Sequence, residues 1–424
     1  MSLFRKGWMG ILIIISLFSL TSGRVQGEEK KAKWSREPSQ IALKCIQCHQ
    51  EKSPGIVNDW KNSSHSKAKV DCLECHKADP QEPDSREHEG ASISALVSPN
   101  DCQRCHPKEV KEFNDSLHSK GATFVQRLDK ERGKDDFLAY VVEGKAAAVM
   151  GCEKCHGSIV TFNQGAPDPT TWPNTGIGRI NPDGSRGSCS ACHTRHRFSL
   201  AEARKPEACG QCHIGPDHPQ LEIYLESKHG AIYQHEGREW DWDVATPYWD
   251  TRHYRAPTCA TCHMSGVGVL ESTHNVSSRL SWELERPLAV KTEKWQEKRA
   301  KMQKICLSCH SAGWVKGFYQ QFDAAVELYN TKYFIPMQAM MDELYAQGLL
   351  TSDNKFDEEI EWVFFELWHH EGRRARMGAA MMGPDYVQWH GFYDLAKGLV
   401  KMKKLAQELK VRSINRQGNP LVPK

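Results

Sequence analysis

The five-residue motif Cys-x-x-Cys-His occurs eight times in this chain of 424 residues and constrains its fold more than any other feature. The motifs begin at Cys45, Cys72, Cys102, Cys152, Cys189, Cys209, Cys259 and Cys306. An even number of cysteines would by itself suggest a disulfide framework. Here the eight motifs use all 16 cysteines, so none remains for a disulfide.

Two thiols three residues apart on one helical turn reach the two vinyl groups of one haem, and the histidine that follows ligates the iron. The spacing therefore predicts eight haems of c type. The attachment residues are Cys45, Cys48, Cys72, Cys75, Cys102, Cys105, Cys152, Cys155, Cys189, Cys192, Cys209, Cys212, Cys259, Cys262, Cys306 and Cys309. The predicted proximal iron ligands are His49, His76, His106, His156, His193, His213, His263 and His310.

Eight haems within residues 45–310 leave little chain for each cofactor, and only 39% of the residues are hydrophobic. We therefore expect haem to supply much of the core. The predicted fold is mainly α, a multihaem cytochrome c with little sheet. Residues 28–310 form the predicted octahaem-binding domain, and residues 311–424 form a helical domain that covers haems and makes an oligomer interface.

Twelve histidines lie outside the motifs. Eight of them would be needed to give every haem iron a second histidine ligand, and seven would leave one iron with an open position. Three of them follow the pattern aromatic-x-x-Ser-x-His, which suits a ligand on a short helix. The predicted second ligands are His65, His118, His196, His229, His274, His370 and His390. His369 is an alternative to His370, His88 is expected to be solvated in an acidic loop, and His235 and His253 stay unassigned.

The N-terminal residues are typical of a secretory leader. Arg5 and Lys6 precede an apolar run from Trp8 to Leu20, and small residues near Gly27 suit cleavage. We expect residues 1–27 to be a signal peptide and the mature protein to be exported, to the periplasm or an equivalent compartment, without a membrane span. The formal charge of +3 falls to about zero without the leader, and haem propionates make the holoprotein acidic, which argues against nucleic acid as a partner.

The pattern of apolar residues predicts long helices after the last motif. One is expected over residues 314–349 with a break near Pro336, and another over residues 357–382 that ends before Gly383-Pro384. A third, of about six turns, begins near Trp389. Residues 165–187, rich in Gly and Pro, are predicted to form a loop.

Three stretches outside the motifs carry a resemblance to a known family. They are Gly-Pro-Asp-His-Pro-Gln at residues 215–220, Trp-His-His-Glu-Gly-Arg-Arg at 368–374, and Met-Met-Gly-Pro-Asp-Tyr leading to Trp-His-Gly at 381–391. In these stretches and in the order of its motifs, the chain resembles the hydroxylamine oxidoreductase family of octahaem cytochromes. The resemblance covers nearly the whole mature chain.

The resemblance implies that the fourth haem, above His156, is catalytic and open on its distal side, while the other seven transfer electrons. It implies that His218, with Asp217, lies over that haem and accepts protons. Tyr386 would bond to the catalytic haem of a neighbouring subunit, as in oxidising members of the family, which requires an oligomer, expected to be a homotrimer. A small cytochrome c is the expected electron acceptor.

The first functional hypothesis is oxidation of hydroxylamine to nitric oxide or nitrite. Oxidation of hydrazine to dinitrogen by the same site is not distinguished from it by the sequence. Reduction of nitrite or hydroxylamine is a further alternative, indicated if Tyr386 stays unbonded. A pure electron conduit with eight closed haems is the alternative from another class, because the chain has enough histidines for it.

Overall fold

The computed structural model describes residues 39–123, 144–163, 165–246, 248–268, 270–353 and 355–418. All the described residues belong to one compact unit, Arg36–Lys424. The predicted signal peptide at residues 1–27 lies outside the described residues. The predicted division of the mature chain at residue 310 stays a prediction.

The part of the chain that carries the motifs consists of short helices joined by turns. Its α-helices are Gln40–Lys52, Pro54–Lys61, Ser64–Lys67, Cys72–His76, Pro99–Gln103, Pro107–Asp115, Lys145–Met150, Cys152–His156, Leu200–Arg204, Pro206–Gly210, Gln220–Glu226, Lys228–Glu236, Cys259–His263 and Trp295–Cys306. Short 3₁₀ helices cover His118–Lys120, Cys189–Ala191, Gly237–Glu239 and Val276–Arg279.

Polar side chains cap the N-termini of several of these short helices. The Asp71 carboxylate accepts a hydrogen bond of 3.0 Å from the amide of Leu73, and Thr258 forms a reciprocal capping box with Thr261. Ser98 and Asp101 form another capping box. A helix of one turn needs such local support, because its first amides lack partners and its nucleation is unfavourable.

Longer helices follow the last motif. They are Ala312–Leu328, Ile335–Ala346, Glu359–Glu366, Gly372–Met381, Pro384–Val387 and Asp394–Gly418, and π-helical turns occupy Tyr329–Phe334, Leu367–Glu371 and Gln388–Tyr393. The predicted break near Pro336 takes the form of a π-helical turn, because proline has no amide proton for the regular helical bond. The predicted end before Gly383 is confirmed, since Met382 adopts a left-handed φ of 62° there.

Strands contribute little to the structure. The described residues form three antiparallel hairpins, which pair Arg86–His88 with Ala91–Ile93, Phe162–Asn163 with Ala166–Pro167, and Trp282–Glu283 with Val290–Lys291. The second hairpin enters the stretch predicted as a loop, and residues 168–187 have no helix or longer strand. The predicted class, mainly α with little sheet, is confirmed.

The largest buried apolar cluster lies within the C-terminal helices. It contains Tyr329, Tyr333, Phe334, Met337, Met341, Leu344, Leu350, Ile360, Val363, Leu367, Trp368, Ala375, Leu395, Met402, Ala406 and Leu409. A second cluster packs Trp282 and Ala289 of the third hairpin against the helix Ala312–Leu328. Within the described residues, no helix combines the length and the apolar character that a membrane crossing requires.

Candidate active site

Each motif forms about one helical turn that brings its histidine back over its first cysteine. The amide of His106 donates to the Cys102 carbonyl at 2.9 Å, and the His310 amide donates to the Cys306 carbonyl at the same distance. Equivalent bonds of 3.0 Å join His193 to Cys189 and His213 to Cys209. This turn places two thiols and one imidazole on the same side of the backbone, as covalent haem attachment requires.

Seven of the eight motif histidines face a second histidine across a gap. The separations between ring centroids are 6.3 Å for His49 and His88, 6.1 Å for His76 and His196, 6.2 Å for His106 and His65, 6.3 Å for His156 and His218, 6.2 Å for His193 and His274, 6.0 Å for His213 and His118, and 6.1 Å for His310 and His229. Among the described residues, no second histidine ring lies at a comparable distance from His263.

This gap fits a haem iron with an imidazole on each side. A ring nitrogen binds a transition metal at about 2 Å, and two such bonds plus the distance from nitrogen to ring centre on each side give roughly 6 Å. Large apolar side chains beside the motifs are exposed, as expected of surfaces that a porphyrin covers. They are Leu43, Leu117, Met150, Ile159, Ile214 and Leu307.

Burial also favours the neutral form of several of these histidines. A ligating imidazole must be neutral on the nitrogen that binds the metal. Burial lowers the pKa of His118 to about 3. It lowers the pKa values of His156, His193 and His263 to about 4.

The repeated aromatic-x-x-Ser-x-His pattern has a structural explanation. In each copy the serine hydroxyl donates to the carbonyl of the aromatic residue, at 2.7 Å for Ser63, 2.7 Å for Ser116 and 2.6 Å for Ser227. All three serines are buried. The bond closes one helix and fixes the direction in which the chain leaves it, which brings His65, His118 and His229 to face motif histidines.

The predicted second ligands divide into two groups. His65, His118, His196, His229 and His274 each face a motif histidine. His370 instead lies beside His369, with ring centroids 5.2 Å apart, and Nε2 of His390 lies 3.2 Å from Oδ2 of Asp385. Within the described chain neither His370 nor His390 faces a motif histidine.

His88, expected to be solvated, faces His49 from the end of an exposed hairpin strand. Glu89 and Gly90 form the turn of that hairpin, and both have positive φ angles, 52° and 83°. A two-residue turn that ends in glycine is a hairpin signal. That signal could have revealed an ordered position for His88 within the acidic segment.

A polar cluster faces the fourth motif. Nδ1 of His218 lies 2.6 Å from Oδ1 of Asp217, and Nη1 of Arg373 lies 3.4 Å from Oδ2 of the same carboxylate. Nε2 of His369 is 3.9 Å from that oxygen. Arg373 is buried and donates from Nε to the Glu285 carbonyl at 2.9 Å. The cluster therefore joins the segment after the sixth motif to the π-helical turn Leu367–Glu371 and the helix after it.

Comparisons with known proteins agree with this architecture. The family described as "Seven times multi-haem cytochrome CxxCH" matches residues 182–356, and "Cytochrome c7 and related cytochrome c" matches residues 140–214. A relative from Kuenenia stuttgartiensis, described as a "Probable nitrite reductase-hydroxylamine oxidoreductase fusion protein", is 28% identical over 315 residues. The match covers 63% of this chain and 34% of that protein, so the chain spans about a third of the relative.

Two solved structures share the fold. A "Hypothetical multiheme protein" matches with a TM-score of 0.77 and 26% identity over 89% of this chain and 97% of that one. A "reducing HAO-like protein complex" of Kuenenia stuttgartiensis matches with a TM-score of 0.66 and 22% identity over 90% and 89% of the two chains. Together these matches support a multihaem cytochrome c that is similar to hydroxylamine oxidoreductase-like proteins. The predicted family and its multiple c-type haems are thereby confirmed.

The cytochrome orders its motifs in space differently from their order in sequence. Thiols of the third and fifth motifs (Cys102 and Cys189), of the fourth and sixth (Cys155 and Cys212), and of the sixth and seventh (Cys209 and Cys259) lie near enough to shift one another's pKa. Closely spaced thiols also connect the first motif to the second, the second to the third, the fifth to the sixth, and the seventh to the eighth.

The electrostatics of the cluster follow from its contacts. Burial alone would raise the pKa of Asp217, but His218, His369 and Arg373 hold it well below its usual range. Burial alone would lower the pKa of His218, but Asp217 and Glu285 keep it above the usual histidine value. Burial and Arg373 lower the pKa of His369 to about 2. The cluster therefore holds a carboxylate, a histidine that retains a proton well, and a neutral histidine.

Tyr386 lies in the short helix Pro384–Val387 of this cytochrome, and its ring centroid is 5.1 Å from that of His390. Burial and the charges of Glu222 and Glu226 raise its pKa. The side chain is partly exposed. The expected bond between Tyr386 and a neighbouring subunit's haem stays a prediction.

Proposed function

We propose that this cytochrome oxidises hydroxylamine at its fourth motif and transfers the electrons through its other haems to a small cytochrome c. The observation that carries the proposal is the cluster around Asp217. Among the described residues, His218 is the one histidine facing a motif histidine that also has a carboxylate oxygen within 4 Å of a ring nitrogen. Such a group suits a reaction in which protons move together with electrons.

Cys152, Cys155 and His156 would hold the haem of this site. When bound, this haem supplies an iron that binds the substrate nitrogen and accepts electrons from it. The work of the chain is then to move protons. Conversion of hydroxylamine to nitric oxide releases three electrons and three protons, and conversion to nitrite adds one water and releases four electrons and five protons.

His218 is the proposed proton acceptor, and Asp217, whose Oδ1 lies 2.6 Å from its Nδ1, stabilises its protonated form. A carboxylate beside one ring nitrogen fixes the tautomer of an imidazole and stabilises its protonated form. Arg373, buried against Glu285, holds Asp217 in place. We therefore assign His218 to proton transfer with substrate and Arg373 to positioning.

The complete proposal contains eight haems, a homotrimer, export to the periplasm, and a bond from Tyr386 to the fourth haem of a neighbouring subunit. Hydrazine is the alternative substrate, because it too is small, neutral and binds through nitrogen. Mass spectrometry of tryptic haem peptides tests the bond. A species that joins the Cys152–Cys155 haem to the Tyr386 peptide supports oxidation, and its absence indicates reduction.

Reduction of nitrite or hydroxylamine is the second candidate. The Kuenenia relative is described as a fusion that includes a nitrite reductase, and the raised pKa of His218 suits a group that gives protons to a reduced substrate. Rates with hydroxylamine and oxidised cytochrome c, and with nitrite and a low-potential electron donor, separate the two directions.

The decisive variant is Asp217→Asn, which keeps the size of the side chain and removes its charge. We expect it to slow hydroxylamine-dependent reduction of cytochrome c by about 100-fold, the scale of lost acid–base assistance. The matched control is Glu109→Gln, another carboxylate close to a predicted iron ligand, His274, but away from the fourth motif. It should retain the wild-type rate. Equal rates for wild type and Asp217→Asn would contradict the proposal, and no turnover in any of the proteins would favour a conduit.

A further inference from the structure

The predicted iron ligand of the sixth motif, His213, is connected to a carboxylate from a distant part of the chain. Nδ1 of His213 lies 3.2 Å from Oε1 of Gln220, and Nε2 of Gln220 donates to Oε1 of Glu285 at 3.2 Å. We infer that Glu285, acting through Gln220, is a positioning residue that lowers the reduction potential of the haem of the sixth motif. The inference goes beyond the proposed function, because a reduction potential can be measured whatever the substrate is.

The two neighbours of Gln220 fix the orientation of its amide. A carboxylate only accepts hydrogen bonds, so the amide nitrogen faces Glu285 and the amide oxygen is left for His213. A histidine that ligates iron through Nε2 carries its proton on Nδ1 and gives it to a nearby acceptor. Gln220 therefore accepts from the ligand while it donates to Glu285.

This amide carries the influence of the Glu285 charge to the ligand. Hydrogen bonds in a chain polarise one another, so the carboxylate makes the amide oxygen of Gln220 a stronger acceptor. A stronger acceptor at Nδ1 makes His213 a better electron donor to iron, which stabilises the oxidised haem and lowers its potential. His76 of the second motif differs, because its Nδ1 lies 2.8 Å from the uncharged backbone carbonyl of Ser94.

The turn of the third hairpin, which carries Glu285, is held by the C-terminal helices. Arg373 donates from Nε to the Glu285 carbonyl at 2.9 Å. Arg376 and the Tyr329 hydroxyl donate to the carbonyls of the next two residues, at 2.8 and 2.9 Å. All three donors belong to buried side chains. The turn therefore presents Glu285 to Gln220 from a fixed position, as a tuning group requires.

Arg373 also stabilises the negative charge on which the inference depends. Its Nε lies 3.6 Å from Oε2 of Glu285, and its Nη1 lies 3.4 Å from Oδ2 of Asp217. A cation at this distance favours the ionised form of a carboxylate. The Glu285 side chain is 41% exposed, so solvent screens part of its effect and we expect a moderate shift in potential.

A redox titration of the holoprotein, followed by absorption spectroscopy and without substrate, tests the inference. Glu285→Gln should raise the equilibrium constant for reduction of one haem about 10-fold, a rise of about 59 mV for one electron. Gln220→Leu, which removes both hydrogen bonds, should raise the midpoint of the same component. The matched control is Glu283→Gln in the same hairpin, where the carboxylate is 32% exposed and pairs with Arg286. It should leave every midpoint at the wild-type value.

The double variant separates an effect through Gln220 from an effect through space. If Glu285 acts through Gln220, combining Glu285→Gln with Gln220→Leu should shift the midpoint by less than the sum of the two single shifts. A shift equal to the sum would overturn the inference. So would an unchanged midpoint in Glu285→Gln, or equal shifts in Glu285→Gln and Glu283→Gln.

Haem content is measured on the same samples. If Glu285→Gln contains less haem than the wild type, Glu285→Asp replaces it, because this change keeps the charge and withdraws the carboxylate from Gln220. A raised midpoint in Glu285→Asp supports the inference, and an unchanged one contradicts it.

The outcomes separate this inference from the proposed function. If the wild type oxidises hydroxylamine but no midpoint changes in the variants, the enzyme proposal stands and the inference fails. If the midpoint rises as expected but the wild type does not turn over hydroxylamine, the role of Glu285 holds and the proposed function fails.

Discussion

Residues 39–310 and residues 311–418 of this cytochrome are both helical, but they build their interiors differently. Among the described residues up to 310, the longest helices are Gln40–Lys52 and Trp295–Cys306, and large apolar side chains beside the motifs remain exposed. After residue 310 the helices reach 17 residues in Ala312–Leu328 and 25 in Asp394–Gly418, and they enclose the largest buried cluster.

The difference shows which part of the chain depends on its cofactors. In the second region, aromatic and aliphatic side chains contact one another and bury their own surface. In the first region, a smaller buried cluster contains Trp240, Trp242, Trp249 and Tyr254, and large apolar side chains beside the motifs are exposed. We therefore expect the first region to depend on covalent haem attachment more strongly than the second.

The largest expected effect comes from producing the chain without haem attachment, as in a host compartment that lacks the attachment machinery. Residues 39–310 should lose most of their protection from hydrogen exchange, because the apolar side chains beside the motifs would have no haem to contact. The helices around Leu344 should keep a substantial part of their protection. Exchange measured by mass spectrometry on the two forms checks this. Equal protection of both regions in the haem-free chain would remove the distinction between them.

Within the second region, Leu344→Ala should lower the free energy of unfolding by about 3 kcal/mol, since it leaves a cavity in a packed core. Leu344 is 0% exposed, whereas Val400, the control, is 69% exposed. Val400→Ala should change the free energy by about 0.5 kcal/mol or less. Denaturant unfolding of the holoproteins provides the comparison, and similar losses for both variants would contradict the assigned core.

Asp323 joins the two regions. Its carboxylate accepts hydrogen bonds from Trp282 at 2.7 Å, from Lys291 at 2.9 Å and from Arg299 at 2.6 Å. Asp323→Asn should cost about 2 kcal/mol, less than the loss of a fully buried pair, because 31% of the side chain is exposed. Asp342→Asn, a change on the exposed face of a neighbouring helix, is the control. A cost no greater than that of the control would show that this joint contributes little.

The same carboxylate predicts a dependence on pH. Burial alone would raise the pKa of Asp323, but Arg299, Trp282 and Lys291 hold it well below its usual range. A group with a lowered pKa in the folded state stabilises the fold above its ordinary pKa, and this contribution is lost as the pH falls below that value. The stability difference between wild type and Asp323→Asn should therefore shrink below about pH 4. A difference that stays constant from pH 6 to pH 3 would argue against it.

The smallest expected effect concerns Ser227, which caps the helix that carries His229. Its hydroxyl accepts from the Gly230 amide at 3.1 Å and donates to the Tyr224 carbonyl at 2.6 Å. Ser227→Ala should cost about 1 kcal/mol. Ser352→Ala, at an exposed position, should cost about 0.5 kcal/mol or less. If the two variants unfold at the same denaturant concentration, the repeated serine does not stabilise the position of its histidine.

Some of the candidate site could be predicted from sequence because its signals are local. The motif turn depends on residues four apart, and the serine pattern before His65, His118 and His229 acts over five residues. His88, expected to be solvated, is exposed in the structure and also faces His49, a relation set by the turn beside it rather than by its acidic neighbours. His370 and His390 carried no local pattern that ties a histidine to a particular motif, and neither faces one in the described chain.

The sequence by itself determined the number of motifs, the helical class and the family resemblance, since each depends on residue types at short, fixed spacing. Only the tertiary structure decided which histidine faces which motif, and that His218 stands as close to His156 as the other facing rings do to theirs. It also brought Cys155 of the fourth motif close to Cys212 of the sixth. These relations join residues far apart in the chain, and the path of the backbone between them sets distances that no local pattern encodes.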